Sequence, residues 1–108
     1  MGMAETFFKE LCEAFLTITD NNEMENFLRD LCTPTEIAAL SERWHVCRLL
    51  HRDELSYREI HRLTGVSLVT IGRVARFLRT DSHGGYHALL RKFEDGTLSP
   101  DIKNRNWQ

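Results

Sequence analysis

The stretch SYREIHRLTGVSLVTIGRVARFL, from Ser56 to Leu78, limits the possible folds more tightly than any other part of the chain. Ser56 and Glu59 stand three apart at the head of an apolar-periodic run. That is the spacing of a capping box, in which hydroxyl and carboxylate each accept a hydrogen bond from the other residue's backbone N–H. Gly65 follows two turns later, where a helix ends in the left-handed conformation that glycine adopts without cost. Ser67 then caps a second helix from Leu68 to about Arg79. Two short helices with glycine at the turn make a helix-turn-helix, in which the first braces and the second leads with its N-terminal residues.

The second helix has an unusual outward face. At 100° per residue, Ile71, Val74, Ala75 and Leu78 gather on one side and supply a core face. Val69, Arg73, Arg76 and Phe77 fall opposite, with Thr70 and Gly72 at the flanks. A plain surface helix carries Glu, Lys and Gln there, yet no acid occurs from Ser67 to Thr80. Phosphates repel carboxylates, so this is the pattern expected of a helix that faces a polyanion. Thr70 and Arg73 are placed to reach base edges, and Leu68 and Val69 to touch thymine methyls.

The charge distribution points the same way. The net charge is −2, but residues 1–40 carry eight acids against two bases, whereas residues 41–79 carry eight arginines against four acids. A local basic patch on an acidic chain still attracts a polyanion. Eleven of the fourteen basic residues are arginine, whose flat fork suits phosphate and guanine.

The rest of the chain reads as helix. AETFFKELCEAFLTI spaces Phe7, Phe8, Leu11, Phe15 and Ile18 as one broad apolar face. Asp20-Asn21-Asn22 breaks it, and Asn22 with Glu25 is expected to cap a second helix that faces Met24, Phe27, Leu28 and Leu31 inward. Thr33-Pro34-Thr35-Glu36 opens a third with a capping box and proline at the first helical position. It is expected to run to about Arg52, ended by Asp53-Glu54, with Ile37, Leu40, Trp44, Cys47 and Leu50 or nearby positions buried. Asp81 to Gly85 is read as a loop, Tyr86–Phe93 as a final helix and residues 95–108 as a tail. No strand-like alternation of useful length occurs, so the fold class is all-α. The expected organisation is one helical domain over 1–94: core and dimerisation helices 1–55, helix-turn-helix 56–79, final helix 86–94. A chain of 108 residues buries only about 65% of its unfolded surface, so pairing with a second copy is favoured.

Other chemistry finds little support. Cys12, Cys32 and Cys47 are odd in number, widely spaced and without a CxxC, so they read as reduced, mostly buried thiols of a cytoplasmic protein. No apolar run is long enough to span a bilayer, and no signal-peptide layout is present, so no membrane partner is expected. His83 and His87 lie four apart, but glycines interrupt them and no third ligand is near, so they are read as loop and cap residues and no metal is expected. No Ser or Cys has a base and orienting acid at motif spacing, and no glycine-rich phosphate loop exists, so neither an enzyme nor a cofactor is expected. His45, His51 and His61 sit among arginines and are expected to add positive charge in acid.

The run CTPTEIAALSERWHVCRLLHRDELSYREIHRLTGVSLVTIGRVARFL resembles the Trp repressor family, with TPxE, ALxxR, ELSxRE and TIxR all at that family's spacing. The following DSHGGYHALLRKF is more similar to its YerC/YecD-type branch. The resemblance covers roughly residues 27–94. It implies a six-helix, Trp-repressor-like chain intertwined with a second copy as a homodimer, and a DNA-binding transcriptional regulator that acts on double-stranded DNA. It places Arg58 as a base-reading arginine, His61 where the tryptophan-responsive member has a DNA-contacting lysine, and Leu68, Val69, Thr70 and Gly72 at the groove-facing tip. Ser67 through Arg73 would read bases, while His61, Arg76 and Arg79 would meet phosphate or sugar.

The resemblance also makes Arg43 and Arg73 the pair that sandwiches the indole of bound tryptophan. Here the sequence departs. Val74 stands where the tryptophan-binding member has glycine, and Phe77 replaces the serine that receives the ligand's amino group. Both add bulk, and the second removes a hydrogen-bonding oxygen. The expectation is therefore a remnant effector pocket of Arg43, Arg73, Val74 and Phe77, with Phe77 and Val74 filling the indole space and Phe77 packed against Arg43 and the third helix. Such a protein would not respond to tryptophan, and would either bind DNA constitutively or sense another molecule. The other reading of the same face is a helical dimer that docks a protein through a Val69–Arg73–Phe77 ridge.

Overall fold

The computed structural model describes residues 2–80 and 83–94. They form six helices: α1 Met3–Thr17, α2 Asn21–Leu31, α3 Pro34–Arg52, α4 Tyr57–Thr64, α5 Leu68–Thr80 and α6 Gly85–Glu94. No strand occurs among the described residues. The fold is all-α. The tail read over 95–108, with Trp107, and the Asp81-Ser82 part of the loop lie outside the described residues.

Local capping chemistry sets most boundaries. At the head of α3, Thr33 N–H donates to Glu36 Oε1 at 2.8 Å and Glu36 N–H donates to Thr33 Oγ1 at 3.1 Å. The second cap differs from expectation. The N-cap of α2 is Asp20, whose carboxylate accepts from Glu23 N–H at 2.8 Å, not Asn22 with Glu25. Three consecutive Asx residues compete for that role, and the cap falls on the one whose backbone is extended, Asp20 at φ −134°, just before the helix begins at Asn21. At the far end of α3, Asp53 turns the chain at φ 56°, a left-handed position that Asp tolerates better than most residues.

The chain divides into two compact units at Ala38/Ala39, inside α3. In the first, Phe15 and Phe27 pack edge to face with centroids 5.4 Å apart, tying α1 to α2. Neither helix has a buried residue: Phe7 and Phe8 are 59% and 65% exposed and Leu16 is 84% exposed. Leu31, expected inside, is also exposed. Within this unit, among the described residues, Phe7, Phe8 and Leu16 leave a broad apolar face uncovered.

The second unit holds the core. Val46, Cys47 and Leu49 of α3 meet Ile60 of α4, Val66 of the turn, Ile71 and Val74 of α5 and Leu90 of α6, with Trp44, Leu50, Leu55, Leu78 and Tyr86 packed around them. Leu40, expected on the buried stripe of α3, is exposed, and Val46 and Leu49 are buried instead. A helix packed by neighbours on several sides buries a wider arc than one stripe, so periodicity alone misassigns its edges. The last helix is one residue longer at each end than the expected Tyr86–Phe93. It is held by Trp44, whose ring lies 6.5 Å from Tyr86 and 5.7 Å from Phe93, and by a bond between His87 Nε2 and the Leu78 carbonyl at 2.8 Å.

Candidate nucleic-acid interface

The α4–turn–α5 segment is built by short-range hydrogen bonds. Ser56 N–H donates to Glu59 Oε1 at 2.8 Å and Glu59 N–H donates to Ser56 Oγ at 3.1 Å, closing the capping box. These bonds hold the Glu59 carboxyl below the usual range. Gly65 ends α4 at φ 77°, with its N–H on the His61 carbonyl. Thr64 Oγ1 donates to the Ile60 carbonyl at 2.6 Å and accepts from Val66 N–H at 3.1 Å. His61 Nδ1 donates to the Val66 carbonyl at 2.7 Å. Ser67 Oγ accepts from Thr70 N–H at 3.1 Å and donates to Thr70 Oγ1 at 3.0 Å, capping α5. Ile60, Val66 and Ile71 are buried beneath these bonds, so the turn is pinned from both sides.

The outer side of α5 is an open groove of about 520 Å³ lined by Leu68, Val69, Gly72, Arg73, Arg76 and Arg79. Three guanidinium groups and two exposed apolar side chains meet there without a carboxylate; Val69 is 84% exposed. Among the described residues Gly72 has no packing neighbour: a Cβ added there would meet nothing within 4 Å. A mid-helix glycine nevertheless costs about 0.5–1 kcal/mol relative to alanine.

Six of the expected contact residues therefore share one groove. Ser67 and Thr70 sit at its head, in the cap of α5. Arg58 and His61 lie exposed on α4, His61 with its ring tied to the turn. Because the Val66 carbonyl can only accept, Nδ1 carries a proton, and Nε2 takes no part in that bond.

The expected effector residues are distributed differently. Val74 is buried in the core. Phe77 is half-buried, and its ring lies under the guanidinium of Arg73 at 4.7 Å and of Arg76 at 5.9 Å, both from its own helix. Arg43 and Arg73 act together on Tyr86, whose hydroxyl is pushed up by burial and by Cys47 and pulled back by these two charges. From sequence, Tyr86 reads only as the start of the last helix. Of the histidines expected to gain charge in acid, burial and the Arg48 charge hold His45 below the ordinary value, and His51 is engaged with Glu94. Among the described residues no His, Cys, Asp and Glu side chains cluster as a metal site.

The match to the Trp repressor protein family covers residues 6–94 of this chain. The chain belongs to the Trp repressor family. It is 38% identical over 90 residues to the uncharacterized protein YerC of Bacillus subtilis, spanning 83% of this chain and 86% of that one. A Trp operon repressor homolog of Vibrio campbellii is 30% identical over 89 residues, 82% of this chain and 89% of the relative. The crystal structure of a TrpR-like protein from Eubacterium eligens superposes with a TM-score of 0.72 at 35% identity, covering 84% of this chain and 90% of that one. The family match reaches further towards the N-terminus than residues 27–94, because α1 is included.

Proposed function

We propose that the chain is a sequence-specific, DNA-binding transcriptional regulator of Trp-repressor type that acts as a cytoplasmic homodimer and does not respond to tryptophan. The observation that carries this reading is the acid-free groove of α5, with Arg73, Arg76 and Arg79 around Leu68, Val69 and Gly72. The groove projects from a helix-turn-helix in a chain of that family. Ser67 through Arg73 serve direct readout, Arg58 reaches a base or phosphate, and His61, Arg76 and Arg79 meet the backbone. No catalytic role is assigned, in keeping with a family of regulators.

The dimer rests on the exposed apolar face of α1 and α2, which residues 1–55 would bury against a second copy. A two-fold pair presents two reading helices to successive major grooves about 34 Å apart, on a roughly palindromic site. Independence from tryptophan rests on side-chain bulk: Val74 and Phe77 are both larger than the residues that resemblance associates with an indole slot. No helix among the described residues is long and apolar enough to cross a membrane.

Selection of bound fragments from a random duplex pool tests the reading. An enriched two-fold-symmetric sequence is expected, with affinity falling steeply between about 50 and 200 mM salt. No enrichment at low salt, or a salt-insensitive protein contact in its place, overturns it. Calorimetry with L-tryptophan is expected to give no heat of binding; micromolar affinity would contradict the filled slot.

A further inference from the structure

Phe77 is half-buried on the side of α5 opposite its core face, in the middle of a row of arginines, where the core of the single chain does not call for an aromatic ring. Its neighbours explain it. The Arg73 guanidinium carbon lies 4.7 Å from the ring centroid, the i,i+4 pairing of a helix face, and that of Arg76 lies 5.9 Å away. Both are within reach of the ring's negative quadrupole. Both arginines also line the groove with Leu68, Val69, Gly72 and Arg79.

We infer that Phe77 is a positioning residue for the nucleic-acid face: its ring holds Arg73 and Arg76 over the groove while leaving their N–H donors free. This rests on the DNA-binding reading above. The physical reason lies in how a guanidinium can be held. A carboxylate grips it by its N–H edge, consumes the donors that a phosphate or guanine needs, and cancels its charge. An aromatic ring grips it by its face, so the planar fork stays available and the charge stays whole. No acid occurs between Ser67 and Thr80, so no carboxylate of α5 is available for that role. Two cations brought together repel, and contact with one aromatic ring partly offsets that repulsion while restricting two long side chains before the partner arrives.

The test uses the full chain and three forms of it: wild type, Phe77→Leu, which keeps apolar bulk without a π-face, and Phe77→Trp, which restores one. Nuclear magnetic resonance of the arginine side chains reads the stacking directly. The Arg73 side-chain protons are expected to be shifted upfield and its Nε ordered in wild type, to lose both in Phe77→Leu and to regain both in Phe77→Trp. Identical Arg73 and Arg76 signals in wild type and Phe77→Leu overturn the inference.

Binding to a random duplex at about 50 mM salt reads the consequence. Phe77→Leu is expected to weaken it about three- to tenfold, while Phe77→Trp stays within about twofold of wild type. Equal affinity of the two variants overturns the inference, even if both fold normally by circular dichroism. If wild type itself binds no duplex, the DNA-binding reading falls, and the resonance comparison still decides whether Phe77 orders the arginines.

Discussion

The imidazole of His61, on α4, donates from Nδ1 to the carbonyl of Val66, at the entry to α5, over 2.7 Å. One side chain thus ties α4 to the turn that leads into α5, across Gly65. The Val66 side chain is buried beneath it, so the bond and the packing act on the same turn.

Replacing His61 by Ala removes that bridge and any contact its outward nitrogen makes. A loss of about 0.5–1.5 kcal/mol in unfolding free energy is expected, the usual net worth of one such bond. Denaturant unfolding at fixed protein concentration measures it. Hydrogen exchange should quicken at the head of α5 more than in α3; uniform exchange rates would show that the bridge is idle.

Gly72→Ala separates fold from function. With nothing within 4 Å of an added Cβ, the free protein should gain about 0.5–1 kcal/mol through reduced backbone freedom. Duplex binding should weaken in the same variant, because the methyl occupies the flat spot of the groove. A variant that is stabilised and binds DNA as well as wild type would remove Gly72 from the interface.

Arg73 and Arg79 line the same groove but should behave differently. Arg73→Ala is expected to lower affinity for a selected site by about 1–3 kcal/mol while changing binding to random duplex less. Arg79→Ala should weaken both alike and reduce the salt slope by about one. Filter binding or fluorescence anisotropy across a salt series distinguishes the two patterns.

The capping carboxylate of Glu59 makes stability depend on acid. Its folded pKa is depressed below the ordinary 4.5 by hydrogen bonds from Ser56. A depressed carboxylate contributes stability above its unfolded value and loses it as pH falls through the folded one. Wild type should therefore lose stability below about pH 4.5 more steeply than Glu59→Gln, whose amide keeps the acceptor but does not titrate. Parallel slopes in thermal unfolding at several acid pH values would count against the box.

Much of this architecture was legible because its signals are local. Ser56 with Glu59, Thr33 with Glu36, Gly65 and Ser67 each act within a few residues of chain, so spacing is enough to place four boundaries. The miss at α2 has the same origin, since Asp20, Asn21 and Asn22 offer similar chemistry and only backbone conformation chose Asp20. The acid-free outward face of α5 was likewise readable from residue order, and it is the face that lines the groove.

Tertiary packing settled what no spacing could. Leu40 and Val46 are both apolar residues of one helix, yet one is exposed and the other fully buried, because neighbouring helices decide which arc is covered. Tyr86 enters through a fold-back of α6 that brings it to Trp44 and under the charges of Arg43 and Arg73. A helical wheel sorts Phe77 as an apolar residue out of place, since it counts polarity and not the attraction of a cation for a ring face. Local hydrogen bonding, and the stacking of Arg73 on Phe77 one helical turn away, are written in nearest neighbours; burial and ring contacts between helices depend on distances that exist only once the chain has closed on itself.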